Sequence, residues 1–250
     1  MSPNAGVEDA AFPMPVGMFL LHHAATHLNR GDIILSRSPT SASRMIRFFS
    51  GHTFSHAAMV FFLPKESEEF SHTFVIESLF KGVSLASMDS YVSGHHAVEE
   101  VGILRMEGAS LTPDFFRTAR GYLLDELHKP YDFHRLFRLG LNTLFGLNAV
   151  WERVYGKPKV YKAWMPRQFI CSGFIQYGYY QAAAKLGLPV DDVVLKNGLH
   201  APNREEMLAT TPEDLATSQK LTWKYVIRRG WIYKVSDYAT AKRVLSGKRS

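Results

Sequence analysis

A single cysteine, Cys171, stands among 250 residues. A disulfide within the chain is thereby excluded, and so is a Cys-rich zinc site. No apolar stretch approaches the roughly 20 residues that a membrane-spanning helix needs. The early run Val16 to Leu21 is short and ends at His22-His23. Residues 1–10 hold Glu8 and Asp9 but no Lys or Arg, which does not fit a secretory signal. The expectation is a chain made in the cytoplasm, with export by a route lacking a cleaved signal left open. No dense Lys/Arg run occurs before the tail Lys248-Arg249, so nucleic acid gains no specific support. Internal repeats and low-complexity segments are missing too.

What is present fits a folded chain of one domain, or one domain with large insertions. Hydrophobic residues make up 46% and aromatics 13%, which argues against disorder. The formal net charge of +6 favours anionic partners, with an anionic membrane surface and cell-wall polymers as compatible as nucleic acid. Residues 14–28 read as a short helix ending in the turn signal Asn29-Arg30-Gly31-Asp32. Strand candidates are the apolar run from Ile33, the run from His56 through Leu63, Phe74 to Ser78, Val83 to Leu85, and Val101 to Met106. Ser41 to Ser50 has helical spacing. Thr112-Pro113-Asp114 starts a helix running to about Leu127, and a further helix runs from Cys171 to Leu186, stopped by Gly187 and Pro189. A short helix is expected from Thr211-Pro212 to about Ala216, and the segment from Trp223 to Val235 is a strand pair or a loop. Residues 1–29 are read as an N-terminal helical extension. Residues 30–250 are read as the main domain, with an insertion at about 132–165 that is basic, aromatic and poorly periodic.

A lone cysteine is ordinarily a small buried hydrophobe. The surroundings of Cys171 argue for more. It sits where the extended pair Phe169-Ile170 meets a helix. A helix N-terminus offers free N–H groups and the positive end of the macrodipole. Both favour the thiolate, and the same N–H groups can receive an oxyanion.

A thiol nucleophile needs a base. Among 11 histidines, His56 stands out because it opens a strand. In an antiparallel pairing of 54–63 with 73–79, an index sum of 133 sets His56 opposite Glu77 and centres the turn in the polar loop Pro64 to Glu69. Opposed residues share a face, so Glu77 would accept the His56 ring N–H and fix its tautomer. A Glu inside the apolar run from Phe74 to Phe80 also calls for a partner.

Further short motifs accompany these: Pro130-Tyr131, Arg30-Gly31-Asp32-Ile33-Ile34, Ser55-His56-Ala57-Ala58, Cys171-Ser172-Gly173-Phe174, Gly82-Val83, and Thr211-Pro212-Glu213-Asp214-Leu215. The set resembles the papain-like NlpC family, with the order reversed because the His strand precedes the Cys helix. That order resembles the circularly permuted branch, the YaeF/YiiX-type permuted papain-like amidases, over roughly residues 30–217. Phe169-Ile170 departs from the Asp that often precedes the family's cysteine. Ile170 and Glu77 also set the chain apart from the permuted lecithin:retinol acyltransferase relatives, which usually carry Asn and His at those places. The resemblance implies an α+β fold in which an antiparallel sheet or small barrel packs against the Cys helix. It implies amide hydrolysis without a cofactor, and a Tyr131 hydroxyl that donates to the oxyanion.

The catalytic set expected is therefore Cys171, His56, Glu77 and Tyr131. Other polar residues draw plainer readings. His23 and His27 are four apart, yet no carboxylate accompanies them at ligand spacing, so no metal is assigned. Asp32 reads as a turn residue before a strand. Residues 131–162 read as a substrate- or lipid-facing cover or as a plain insertion. The function expected is a cysteine hydrolase cleaving an amide, in a cell-wall peptide or another peptide, through a thioester acyl-enzyme. One rival is a lipid acyl-ester hydrolase or acyltransferase with the same triad. Another is a catalytically silent lipid- or peptide-binding protein.

Overall fold

The computed structural model describes residues 12–37, 53–64, 72–79, 82–92, 100–108, 110–127, 171–200 and 202–247. Its strands are β1 (Met14–Pro15), β2 (Ile33–Arg37), β3 (His56–Phe62), β4 (Phe74–Leu79), β5 (Gly82–Ser87), β6 (Glu100–Met106), β7 (Leu221–Arg228) and β8 (Trp231–Lys234). The helices are α1 (Val16–His22), α2 (Ala24–His27), α3 (Asp89–Val92), α4 (Pro113–Leu124), α5 (Cys171–Leu186), α6 (Arg204–Leu208), α7 (Pro212–Ala216) and α8 (Tyr238–Ser246), with a 3-10 turn at Val190–Val193. The helix expected over 41–50, Tyr131 and the 132–165 insertion lie outside the described residues.

The described strands form one antiparallel sheet in the order β1-β8-β7-β6-β2-β3-β4-β5. Strands β2 and β3 are central and buried on both faces, which explains their nearly unbroken apolar runs. Alternate residues feed two cores. Ile33, Leu35, Ala57 and Met59 join the core under α4 and α5. Ile34, Ala58 and Val60 join a second core that includes Phe19, Leu20 and Leu28 from the N-terminal segment. Each fully buried side chain of this kind stabilises the fold by about 1.5–3 kcal/mol.

The element ends follow local chemistry. Thr112 caps α4 by accepting from Phe115 N–H, with Pro113 in the first turn. Thr211 and Asp214 form a reciprocal capping box on α7. The segment from Trp223 to Val235 is a strand pair, β7 and β8. The single helix expected over 14–28 is instead β1 followed by two short helices. They separate at His23, whose φ of −124° leaves the helical region.

The register of β3 against β4 differs from the one expected. Ala58, not His56, lies opposite Glu77, and Met59 lies opposite Ile76. The hairpin is displaced by two residues, and a bulge lies between Val60 and Phe62. A shift of two keeps every side chain on its face, whereas a shift of one would invert them all. His56 and Glu77 are therefore diagonal neighbours on one face, a separation that long side chains still bridge.

Candidate active site

Cys171 is the first residue of α5, and the local packing fixes that helix start closely. A Cβ on Gly173 would lie 2.3 Å from the Leu208 carbonyl oxygen, so only glycine lets α6 approach the first turn. The Ser172 hydroxyl donates to the Thr210 carbonyl at 2.6 Å. One turn on, the fully buried Gln176 amide donates to the Val193 carbonyl at 2.9 Å and accepts the Leu195 N–H at 2.7 Å. These bonds satisfy groups that would otherwise be costly to bury.

His56 and Glu77 come together as the sequence predicts. His56 Nε2 donates to Glu77 Oε2 at 2.8 Å, in a pair whose side chains are only 15% and 7% exposed. The Cys171 thiol is the ring's other electrostatic neighbour. With Nε2 committed to Glu77, Nδ1 is the ring nitrogen left for proton exchange with the thiol. The backbone N–H groups of Ala57 and Ser172 complete the surroundings of the sulfur.

The electrostatics of the three groups interlock. Burial disfavours the His56 imidazolium, but bonding and attraction to Cys171, then to Glu77, outweigh it and push His56 up to about 10. Burial would raise the Cys171 thiol, but His56 and then the two N–H donors bring it below its ordinary value. Burial likewise works to raise Glu77, and His56 followed by Tyr91 holds it below the usual carboxylate range. These shifts all favour a thiolate–imidazolium pair backed by a carboxylate.

Tyr91, in the four-residue helix α3, is a member of this group that sequence reasoning missed. Its hydroxyl donates to the same Glu77 oxygen that His56 uses. Its ring lies nearly parallel to the imidazole, with centroids 6.4 Å apart. Burial, with Glu77 beside it, pushes Tyr91 far up, so the phenol keeps its proton and remains a donor. Nothing in the local sequence around Tyr91 marks it. Only the fold back from β5 brings it to Glu77.

The other candidates separate from this site. Asp32 is 1% exposed and accepts from Arg105 Nε at 2.7 Å, Arg105 Nη2 at 2.8 Å and Asn29 N–H at 2.8 Å. It belongs to a turn, as expected, and also anchors a buried ion pair. His27 Nδ1 lies 3.1 Å from the Tyr225 hydroxyl, and the rings of His23 and His27 pack edge to face. Among the described residues, no group of three or more His, Cys, Asp or Glu side chains is placed to hold a metal ion. Among the described residues, no helix is long and apolar enough to cross a membrane.

No curated protein matches the chain. Among solved structures it is similar to the metalloprotein yiiX from Escherichia coli O157:H7, at 18% identity and a TM-score of 0.48, over 79% of this chain and 96% of that one. The family model described as "Permuted papain-like amidase enzyme, YaeF/YiiX, C92 family" matches residues 27–225. That span takes in β2 through most of β7 and includes His56, Glu77 and Cys171. The α+β fold is therefore the permuted papain-like one, and the chain belongs to the permuted papain-like amidases of the YaeF/YiiX type, a family of cysteine-type hydrolases.

Proposed function

We propose that Cys171 is the nucleophile of an amide hydrolase, with His56 as its proton carrier and Glu77 as the group that orients His56. The observation that carries this reading is the 2.8 Å His56–Glu77 hydrogen bond, with the Cys171 thiol as the imidazole's other electrostatic neighbour at the start of α5. The thiolate adds to the amide carbonyl carbon, and the carbonyl oxygen becomes an oxyanion. N–H groups at the helix start stabilise that charge, with the Tyr131 hydroxyl as a second donor assigned by family resemblance. The C–N bond then breaks, and the His56 imidazolium gives its proton to the departing amine. Cys171 is left as a thioester. Neutral His56 next takes a proton from water, the hydroxide adds to the thioester, and collapse releases the acid and the thiolate.

The substrate assigned is an amide in a cell-wall peptide or another peptide. A second reading, lipid acyl-ester hydrolysis or acyl transfer at an anionic membrane surface, draws on the basic aromatic stretch at 132–165. A panel of peptidoglycan fragments set against phospholipid vesicles, with iodoacetamide labelling of Cys171 run in parallel, decides between them. Amide cleavage that is blocked by labelling is the expected result. Turnover that survives complete modification of Cys171 would overturn the nucleophile assignment.

A further inference from the structure

At the far end of β3 from His56 lies a cleft of about 570 Å³. Five residues of strand separate His56 from Phe61, roughly 17 Å at the usual rise. The cleft's charged lining consists of Arg30, Arg105, Arg117 and Arg120 against Asp32 and Asp114, four cations to two anions. Both aspartates are already engaged. Asp32 is taken by Arg105, and Asp114 pairs with Arg117 at 2.9 Å. Two arginines then remain over. Among the described residues Arg30 has no hydrogen-bond or ion-pair partner, and its guanidinium lies over the Phe62 ring, 5.6 Å from the centroid. Arg120 donates to the neutral carbonyls of Phe61 and Phe116, with no carboxylate partner among the described residues, and lies 5.6 Å over the Phe61 ring.

The strand is shaped to hold these cations. The bulge between Val60 and Phe62 frees the Phe61 carbonyl from the ladder and turns it to Arg120. Each guanidinium is fixed by an aromatic face, leaving N–H groups unspent. Burial, then repulsion from Arg30 and Arg117, pushes Arg120 down from its ordinary value, so the cations oppose one another in the absence of a counter-charge. Leu63, Leu111 and Phe116 add apolar wall to the same cleft.

We propose that this cleft binds a dianionic phosphate monoester, held by Arg30 and Arg120 with its organic part against the apolar wall. Two unspent guanidiniums match the charge of such a group, and guanidinium geometry suits paired hydrogen bonds to its oxygens. The monoester is either a small soluble molecule or the headgroup of a lipid. The site is separate from Cys171 and stands independently of the proposed reaction.

Calorimetric titration of the full chain at physiological salt with inorganic phosphate and with phenyl phosphate tests this. Flotation with vesicles of phosphatidic acid in phosphatidylcholine, and of phosphatidylcholine alone, forms the second arm. Saturable binding of phenyl phosphate, tighter than of inorganic phosphate, identifies a soluble monoester. Binding only to the phosphatidic acid vesicles identifies the headgroup. In either arm Arg30→Gln should weaken binding about tenfold and Arg30→Gln with Arg120→Gln should weaken it further. Iodoacetamide labelling of Cys171 should stay at the wild-type rate. Arg30 is exposed, so its substitution leaves the fold intact even where Arg120→Gln does not. Absence of binding in both arms, or wild-type binding by Arg30→Gln, would overturn the proposal.

Discussion

The Asp32–Arg105 pair and the Cys171–His56–Glu77 line are both charged groups withdrawn from water, and they differ in what can move. Arg105 never gives up its proton, and both oxygens of Asp32 are occupied by fixed donors. That pair holds the turn after α2 to β6. In the Cys171–His56 pair both groups can hold the proton, and each shifts the other, His56 upward and Cys171 downward. Burial alone therefore does not mark a reactive site. The mark is burial together with a partner able to exchange a proton.

The sharpest break between the two is a double dissociation. Cys171→Ala should lower turnover about ten-thousand-fold or more while the thermal midpoint stays near wild type, since a small buried group is replaced by another. Asp32→Asn should do the reverse. It leaves Arg105 without its counter-charge and should destabilise the fold by about 3–5 kcal/mol in chemical denaturation, with turnover per folded molecule unchanged. An Asp32→Asn protein of normal stability would mean that the pair is no anchor.

Glu77→Gln should lower kcat about ten- to a hundred-fold, less than His56→Ala, because the orienter moves no proton itself. Its pH profile is the finer test. The reactive ion pair exists above the lowered Cys171 ionisation and is lost as pH rises through that of His56, at about 10. Removing the Glu77 charge removes a contribution that raises His56, so the alkaline limb should move to lower pH. An unmoved limb in kcat/KM would exclude Glu77 from the site's electrostatics.

Tyr91→Phe should have the smallest effect, about tenfold or less in kcat. A hydrogen bond to a charged group is worth about 1.5–3 kcal/mol, and only part of that is felt in the transition state. Because the Tyr91 hydroxyl helps to hold Glu77 low, its loss should raise the Glu77 ionisation, read directly by carboxylate NMR titration. A change in stability with no movement of that titration would leave Tyr91 as packing.

The elements that build the site were legible where burial imposes a pattern. Strand β3 reads as an apolar run because both its faces are covered, and α5 is marked by its length and by Gly187 beyond its end. The pairing of His56 with Glu77 was legible as parity but not as register, because residues 65–70 fix no turn length and the bulge at Phe61 has no sequence mark. Asp32 was legible as a turn residue, but its partner Arg105 is 73 positions away and no local rule links them. Helix α8 carries its own signals, Asp237 as N-cap and Gly247 in left-handed conformation after its end, beyond the last element expected. Tyr91 belongs to neither a long helix nor an alternating strand, so periodicity is silent about it.

The tight seating of Gly173 on Leu208 has a consequence for biosynthesis. His56 and Glu77 are made long before Cys171, and the backbone that clamps the first turn of α5 is made later still. While the chain is still being synthesised, the start of α5 lacks the backbone against which it packs. That packing is complete only once residues near 208–210 have left the ribosome and docked. Pulse-labelling of stalled nascent chains with an electrophile would show whether Cys171 reactivity steps up at that stage of synthesis.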